Sequence, residues 1–268
     1  MNTIIDILKT SRSFLSKTFE FGFLQRQLAK RLFAGHEQIF IQSGPFEGLL
    51  YIDAIGWSSF TPKWIGTYEN ELHRVVSFII ELHPPLIIDI GSAEGYYTAG
   101  FGMRLHESTV YSFEIDSRSA RLQRQIVSLN GLTNVKISEQ CTSENLADLV
   151  NKRLSFILCD IEGSEYDLFQ NSNKLLGALE NSFLLIELHK KPVGNYEAGI
   201  EFFKNTFKDT HVITIISAQS RKIADLPKVM QFQDVDAELL YKWMDEKRNP
   251  EQKWVFLTPI NSPSFLTL

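Results

Sequence analysis

The run Leu86-Ile87-Ile88-Asp89-Ile90-Gly91-Ser92-Ala93-Glu94-Gly95-Tyr96-Tyr97 constrains this chain more than any other. Its apolar half reads as a strand buried on both faces. It then ends in an acid and turns through two glycines into residues that can start a helix. Such a junction sets bare backbone N–H groups and a helix N-terminus against a ligand. About twenty residues on, a second apolar run, Val110-Tyr111-Ser112-Phe113, ends in Glu114. An acid at that place accepts hydrogen bonds from ribose hydroxyls in a nucleotide-binding βαβ unit. An ordinary α/β turn followed by a surface acid is the plain alternative.

The glycine spacing chooses among nucleoside ligands. A dinucleotide fingerprint needs small residues at three positions, occupied here by Gly91, Ala93 and Tyr96. Tyr96 is too large for the third. S-adenosylmethionine carries no phosphate and needs no tight cradle, only an open turn and acids for its amino group and ribose. Asp89, the turn Gly91-Ser92 to Gly95, and Glu114 with the adjacent Ile115 meet that need. Ala93 is acceptable there provided its φ stays negative.

Further strands are expected at 110–114, 134–138, 154–160, 183–188, 211–217 and 253–257, with helices at 96–105, 117–129, 143–151, 164–180 and 194–207. This alternation predicts an α/β, Rossmann-like, doubly wound and mostly parallel seven-stranded sheet. The last strand, after a polar excursion over about 218–250, is expected to insert antiparallel beside the sixth by likeness to folds of this kind, not from the periodicity. The excursion is expected to cap the site. Upstream, 38–41 and 49–52 read as a hairpin turned by Ser43-Gly44-Pro45. A helix over 68–82 precedes the first core strand, stopped by Pro84-Pro85. Thr67 reads as its N-cap; equally, Tyr68 and Glu69 could reach the cofactor.

Three segments are expected: a basic amphipathic extension (1–36), a hairpin and helix packed on the core (37–83), and the S-adenosylmethionine-binding domain (84–268). Residues 1–34 hold six cations against two acids and lack an uninterrupted apolar stretch. They read as a helix against this domain or a second subunit of a homo-oligomer, or as a peripheral contact with an anionic membrane, rather than a span or secretory signal. The net charge of −5 argues against nucleic acid as partner. Two cysteines, Cys141 and Cys159, make neither a disulfide framework nor a zinc site, and the chain reads as cytoplasmic.

The run Phe156-Ile157-Leu158-Cys159-Asp160-Ile161-Glu162-Gly163-Ser164-Glu165 ends the fourth core strand in an acid, and Leu184-Leu185-Ile186-Glu187-Leu188-His189 ends the fifth similarly. Adjacent strands then bring carboxylates to one rim. Methyl transfer to a hydroxyl needs a base or a divalent cation, because the hydroxyl is barely acidic. His189 is the base by type. Asp160 and Glu187, helped by Glu162, are oxygen ligands for Mg²⁺. The plainer readings have Asp160 capping the next helix and Glu187 pairing with His189. Gln140-Cys141 follows the third strand, where adenine is expected.

These runs, with Gly44-Pro45-Phe46-Glu47-Gly48 and Gly66-Thr67-Tyr68-Glu69, resemble the FkbM family of S-adenosylmethionine-dependent methyltransferases over about residues 40–217. The Asp160-Ile161-Glu162-Gly163-Ser164-Glu165 run is its most specific part, and the upstream runs resemble bacterial members. The resemblance implies a class I fold and O-methylation of a hydroxyl on a sugar, glycan, glycolipid or natural product. N-methylation of a small molecule or protein, and a binding module without turnover, are the alternatives.

Overall fold

A computed structural model describes residues 22–53, 60–170, 172–228 and 235–262. Its described residues fall into two units: those up to Tyr68 with Ser220–Lys247, and those from Glu69 to Gln219 with Arg248 onwards.

In the first unit, α1 (22–32) turns Leu24 and Leu28 inward and leaves Phe23 exposed. The part of the basic extension before residue 22 lies outside the described residues. The antiparallel pair β1 (Ile39–Phe40) and β2 (Leu50–Tyr51) is followed by α2 (Phe60–Ile65). Phe33 sets its ring edge-on to Phe40 and to Trp64, at 5.6 and 5.8 Å. Such pairs add roughly 1 kcal/mol each to the burial itself.

The second unit opens with a 3₁₀ turn (Asn70–Leu72) and α3 (His73–Leu82). Thr67 does not cap this helix. Leu72 stands at its cap, and Glu69, at φ 47°, at that of the 3₁₀ turn, with no side-chain bond closing either; the Glu69 carboxylate accepts instead from Tyr97 and Arg248.

The alternation then follows: β3 (Leu86–Ile90), α4 (Tyr96–Arg104), β4 (Thr109–Phe113), α5 (Ser117–Leu129), β5 (Val135–Ser138), α6 (Ser143–Val150), β6 (Ser155–Cys159). One helix was expected over 164–180. Two short ones stand there, α7 (Glu165–Phe169) and α8 (Asn173–Ala178). Gln170 is extended at φ −75°, ψ 135°, and the Ser172 hydroxyl accepts from Leu175 N–H, starting a new helix. β7 (Ser182–Glu187), α9 (Tyr196–Phe207) and β8 (His211–Ser217) complete the run. The excursion holds α10 (Ala237–Met244), which belongs to the first unit, where the Trp243 indole donates to Leu24 O at 3.2 Å. The chain returns as β9 (Lys253–Pro259).

The strands run in the order β5-β4-β3-β6-β7-β9-β8. Neighbours from β5 to β7 are parallel; β9 lies between β7 and β8, antiparallel to both. Every residue of β3, β6 and β7 is buried, as helices on both faces of a parallel sheet require. The order reverses between β3 and β6. That switch point opens a crevice beyond the strands' carboxyl ends, where ligands bind in open α/β sheets.

Candidate active site at the carboxyl edge of the sheet

The turn after β3 is held by backbone groups. Gly91 and Ser92 both donate to Phe113 O, at 2.9 and 3.2 Å, and Asp160 N–H donates to Ile90 O at 2.9 Å. Gly91 sits at φ +81°, and a Cβ there would lie 1.7 Å from Asp160 O. Only glycine lets β3 and β6 meet this closely. Ala93, expected at negative φ, adopts φ 48°. The reason is Glu114: its Oε2 accepts Ala93 N–H at 2.7 Å while its Oε1 accepts Asp116 N–H at 2.7 Å. Charge-assisted bonds of this kind offset the roughly 1 kcal/mol of left-handed backbone.

Beneath the turn lies a closed polar network. Gln123 Nε2 contacts Ser92 Oγ and Thr98 Oγ1 at 3.0 Å each and Ser112 Oγ at 2.5 Å. Thr98 Oγ1 donates to Asp89 Oδ2 at 2.5 Å. Asp89 is 1% exposed, and burial pushes its carboxyl up to about 7 against the opposing Thr98 bond.

A cavity of about 370 Å³ opens on the other side of the turn. Of the expected cofactor residues, Gly91, Glu114, Ile115, Cys141 and Asp160 line it. Ile115 is 82% exposed at its rim. Burial pushes the Cys141 thiol up to about 12, so it is a neutral wall. Asp89, Ser92, Gly95 and Tyr96 are not in the lining; they are buried behind the turn, where Gly95 backs on Gln123 and Tyr96 stands edge-on to Tyr97. Glu69 is committed to Arg248 and Tyr97. Tyr68 belongs to the first unit, where Lys63 Nζ lies 4.5 Å from its ring.

The acids of β6 and β7 converge on His189. Its Nδ1 is 2.9 Å from Glu165 Oε1, and its Nε2 is 3.4 Å from Glu162 Oε2 and 3.7 Å from Asp160 Oδ1. Glu165 is fully buried and also accepts Ile161 N–H at 2.8 Å. The turn that delivers these groups carries Glu162 at φ 57° and Gly163 at φ +107°, where a Cβ would press on Lys191 O at 2.7 Å. Burial raises Asp160 to about 6 although His189 opposes it. Burial, then the Asp160 carboxylate, lifts Glu187 to about 10. Burial alone would lower His189, but the Glu165 bond and the carboxylates outweigh it, and its pKa is raised.

Glu187 does not pair with His189. It faces Arg248 Nη1 at 3.2 Å, and Arg248 also binds Glu69 and stacks over Trp254 at 5.2 Å. Nor does Asp160 cap α7: Ser164 stands at that cap, with no side-chain bond, and the Glu165 carboxylate takes the Ile161 N–H. The ligand atoms that gather within 4.8 Å are those of Asp160, Glu162 and His189, rather than the expected pair of Asp160 and Glu187.

Two members of the site escaped the sequence. Glu165 stood within the Asp160–Glu165 run but read only as a turn acid; five residues on from a strand-end acid, with a glycine between, was the available signal. Arg248 lies in the polar excursion and gave none.

The strand order, with one antiparallel strand inserted next to the edge, decides the fold. It is the class I methyltransferase fold. Solved structures similar to this chain include an rRNA methylase from Streptococcus thermophilus, 15% identical, covering 71% of this chain and 97% of its own, with a TM-score of 0.48. A precorrin-6y C5,15-methyltransferase from Geobacter metallireducens is 11% identical over 70% of this chain and 88% of its own, with a TM-score of 0.42. An SAH-bound methyltransferase from Podospora anserina is 12% identical over 67% and 74%, with a TM-score of 0.40. No family model and no curated protein matches the chain. Among the described residues, no helix is long and apolar enough to cross a membrane.

Proposed function

We propose that this chain transfers a methyl group from S-adenosylmethionine to a hydroxyl of a sugar-like, glycan or natural-product acceptor, as the FkbM resemblance implies. One observation carries the reading. The cavity floored by Gly91 and Glu114 shares Asp160 and Glu162 with the rim that holds His189. A donor pocket and a proton acceptor are thus continuous.

The residues fit the donor. The Gly91 cradle excludes any side chain, and each Glu114 oxygen that takes a backbone N–H keeps a lone pair for a ribose hydroxyl. Ile115 and Cys141 offer apolar walls for a purine. Bound there, S-adenosylmethionine supplies an electrophilic methyl. The chain's own part is to seat the acceptor oxygen and take its proton. His189 Nε2 faces the rim and is the proton acceptor; Asp160 and Glu162 bind the hydroxyl and steady the resulting imidazolium.

Among the described residues, the cavity lining carries four carboxylates, Glu114, Glu139, Asp160 and Glu162, and no cation. This supports a neutral acceptor over a phosphate-rich nucleic acid. The test is calorimetry with S-adenosylmethionine, then incubation with the labelled donor and a glycan and metabolite extract. Absence of binding at millimolar donor refutes the reading. Label on nitrogen favours the amine alternative.

A second reading, in which a divalent cation activates the hydroxyl, is favoured by the convergence of Asp160, Glu162 and His189. Activity abolished by a chelator and restored by Mg²⁺ or Mn²⁺ would select it.

A further inference from the structure

We propose that Glu165 is the positioning residue of this site, fixing the ring and tautomer of His189 so that Nε2 presents a lone pair to the acceptor. The proposal rests on the reading of His189 as proton acceptor and names what prepares it.

The geometry supplies the argument. Glu165 opens α7, and its side chain is 0% exposed. A single oxygen, Oε1, accepts Ile161 N–H at 2.8 Å and lies 2.9 Å from His189 Nδ1; an ionised carboxylate can only accept, which places the proton on Nδ1. The first bond ties the carboxylate to the turn that carries Glu162. The second ties the imidazole to the carboxylate. Rotation of the ring would break the one contact within hydrogen-bond distance that Nδ1 makes among the described residues. With Nδ1 as donor, a neutral imidazole must carry its lone pair on Nε2. The backbone is held as well. Tyr166 O–H donates to His189 O at 2.8 Å, and Gly163 allows the turn to close on residues 189–191.

A merely structural role fits poorly. Oε2 of Glu165 is shut away from solvent and accepts no hydrogen bond from any described residue. A buried carboxylate with one orphaned oxygen costs stability unless a cation offsets it. The group beside it that can become a cation is His189. The pair is therefore at its best when the imidazole is protonated, which is the state reached after the acceptor hydroxyl gives up its proton. The groups facing the ring are Glu165 from α7, Asp160 from the end of β6 and Glu162 from the turn. Glu187 lies behind Asp160 and is compensated by Arg248.

The test is nitrogen-15 NMR of the histidine rings in the full chain, with kcat and KM. In the wild type, neutral His189 should carry its proton on Nδ1. In Glu165→Gln the tautomers should mix and kcat should fall about ten- to a hundredfold. The KM for S-adenosylmethionine should hold within about twofold. Glu165→Asp, which keeps the charge but shortens the reach, should recover part of the loss. A wild-type His189 protonated on Nε2 overturns the proposal, and that readout needs no variant to fold. So does a folded Glu165→Gln whose neutral His189 keeps its proton on Nδ1 alone, as in the wild type. Because the tautomer is read without turnover, absence of methyl transfer would strike the proposed activity and leave this inference standing or falling by itself.

Discussion

Asp89 offers the sharpest physical test. The side chain is 1% exposed beneath the glycine turn, and burial pushes its carboxyl from 3.8 to about 7. The unfolded chain gives up this proton near pH 4, while the native chain keeps it until about pH 7. Rising pH across that window therefore favours unfolding, and the penalty is constant above it. At 1.36 kcal/mol per unit, the full penalty is roughly 4 kcal/mol; between pH 5 and pH 8 it grows by about 2.6 kcal/mol. Asp89→Asn cannot ionise. Its altered bonding to Thr98 changes stability by an amount that does not depend on pH. The quantity to measure is thus a double difference: unfolding free energy by urea titration, variant minus wild type, at pH 8 minus pH 5. It should come out at +2 to +3 kcal/mol, about half the value if nearby Asp160 and Glu114 relax. A difference within about 0.5 kcal/mol of zero would mean that water reaches Asp89, and the closed Gln123–Thr98–Asp89 network would be wrong.

Three other outcomes follow from the same geometry. Gly91→Ala places a Cβ 1.7 Å from Asp160 O at φ +81°, so it should cost at least about 2 kcal/mol of stability and abolish donor binding by calorimetry. His189→Ala should slow transfer to a hydroxyl by about 10² to 10⁴ with donor affinity intact; in the wild type the acid limb of kcat/KM should lie above the ordinary histidine range, since a raised pKa keeps the base protonated to higher pH. Near-normal activity in this variant would favour an amine acceptor. Glu114→Ala removes the acceptor for Ala93 N–H and, on the proposed reading, for the ribose as well; it should weaken donor binding about tenfold or more with little change in the Asp89 titration.

What was legible in the sequence follows from how each residue acts. Buried parallel strands are apolar along most of their length, so β3, β6 and β7 announced themselves; the turn needs glycine where backbones touch, so Gly91 did too. Side-chain direction was not legible. Asp89 and Ser92 share the motif with Gly91, yet the pleat and the turn send them into the interior, and nothing in a one-dimensional pattern distinguishes an acid facing a ligand from one facing Thr98. Ala93 shows the reverse: an ordinary residue takes a left-handed backbone because an acid twenty-one positions away holds its N–H. Arg248 was invisible because its partners, Glu69 and Glu187, come from distant parts of the chain.

The rim imposes two demands that pull against each other. A proton acceptor near neutral pH needs carboxylates close by, and carboxylates so close repel one another when buried. The chain meets both by giving each acid a different compensation. Glu187 faces Arg248, Glu165 holds the imidazole, and Glu162 stays exposed to solvent. Asp160 Oδ1, like Glu165 Oε2 and Asp89 Oδ1, is shut from solvent without a hydrogen-bond partner among the described residues, but of these three acids only Asp160 lines the cavity, at the point where it meets the rim. On the proposed reading, an acceptor hydroxyl donating to that oxygen would relieve an existing deficit.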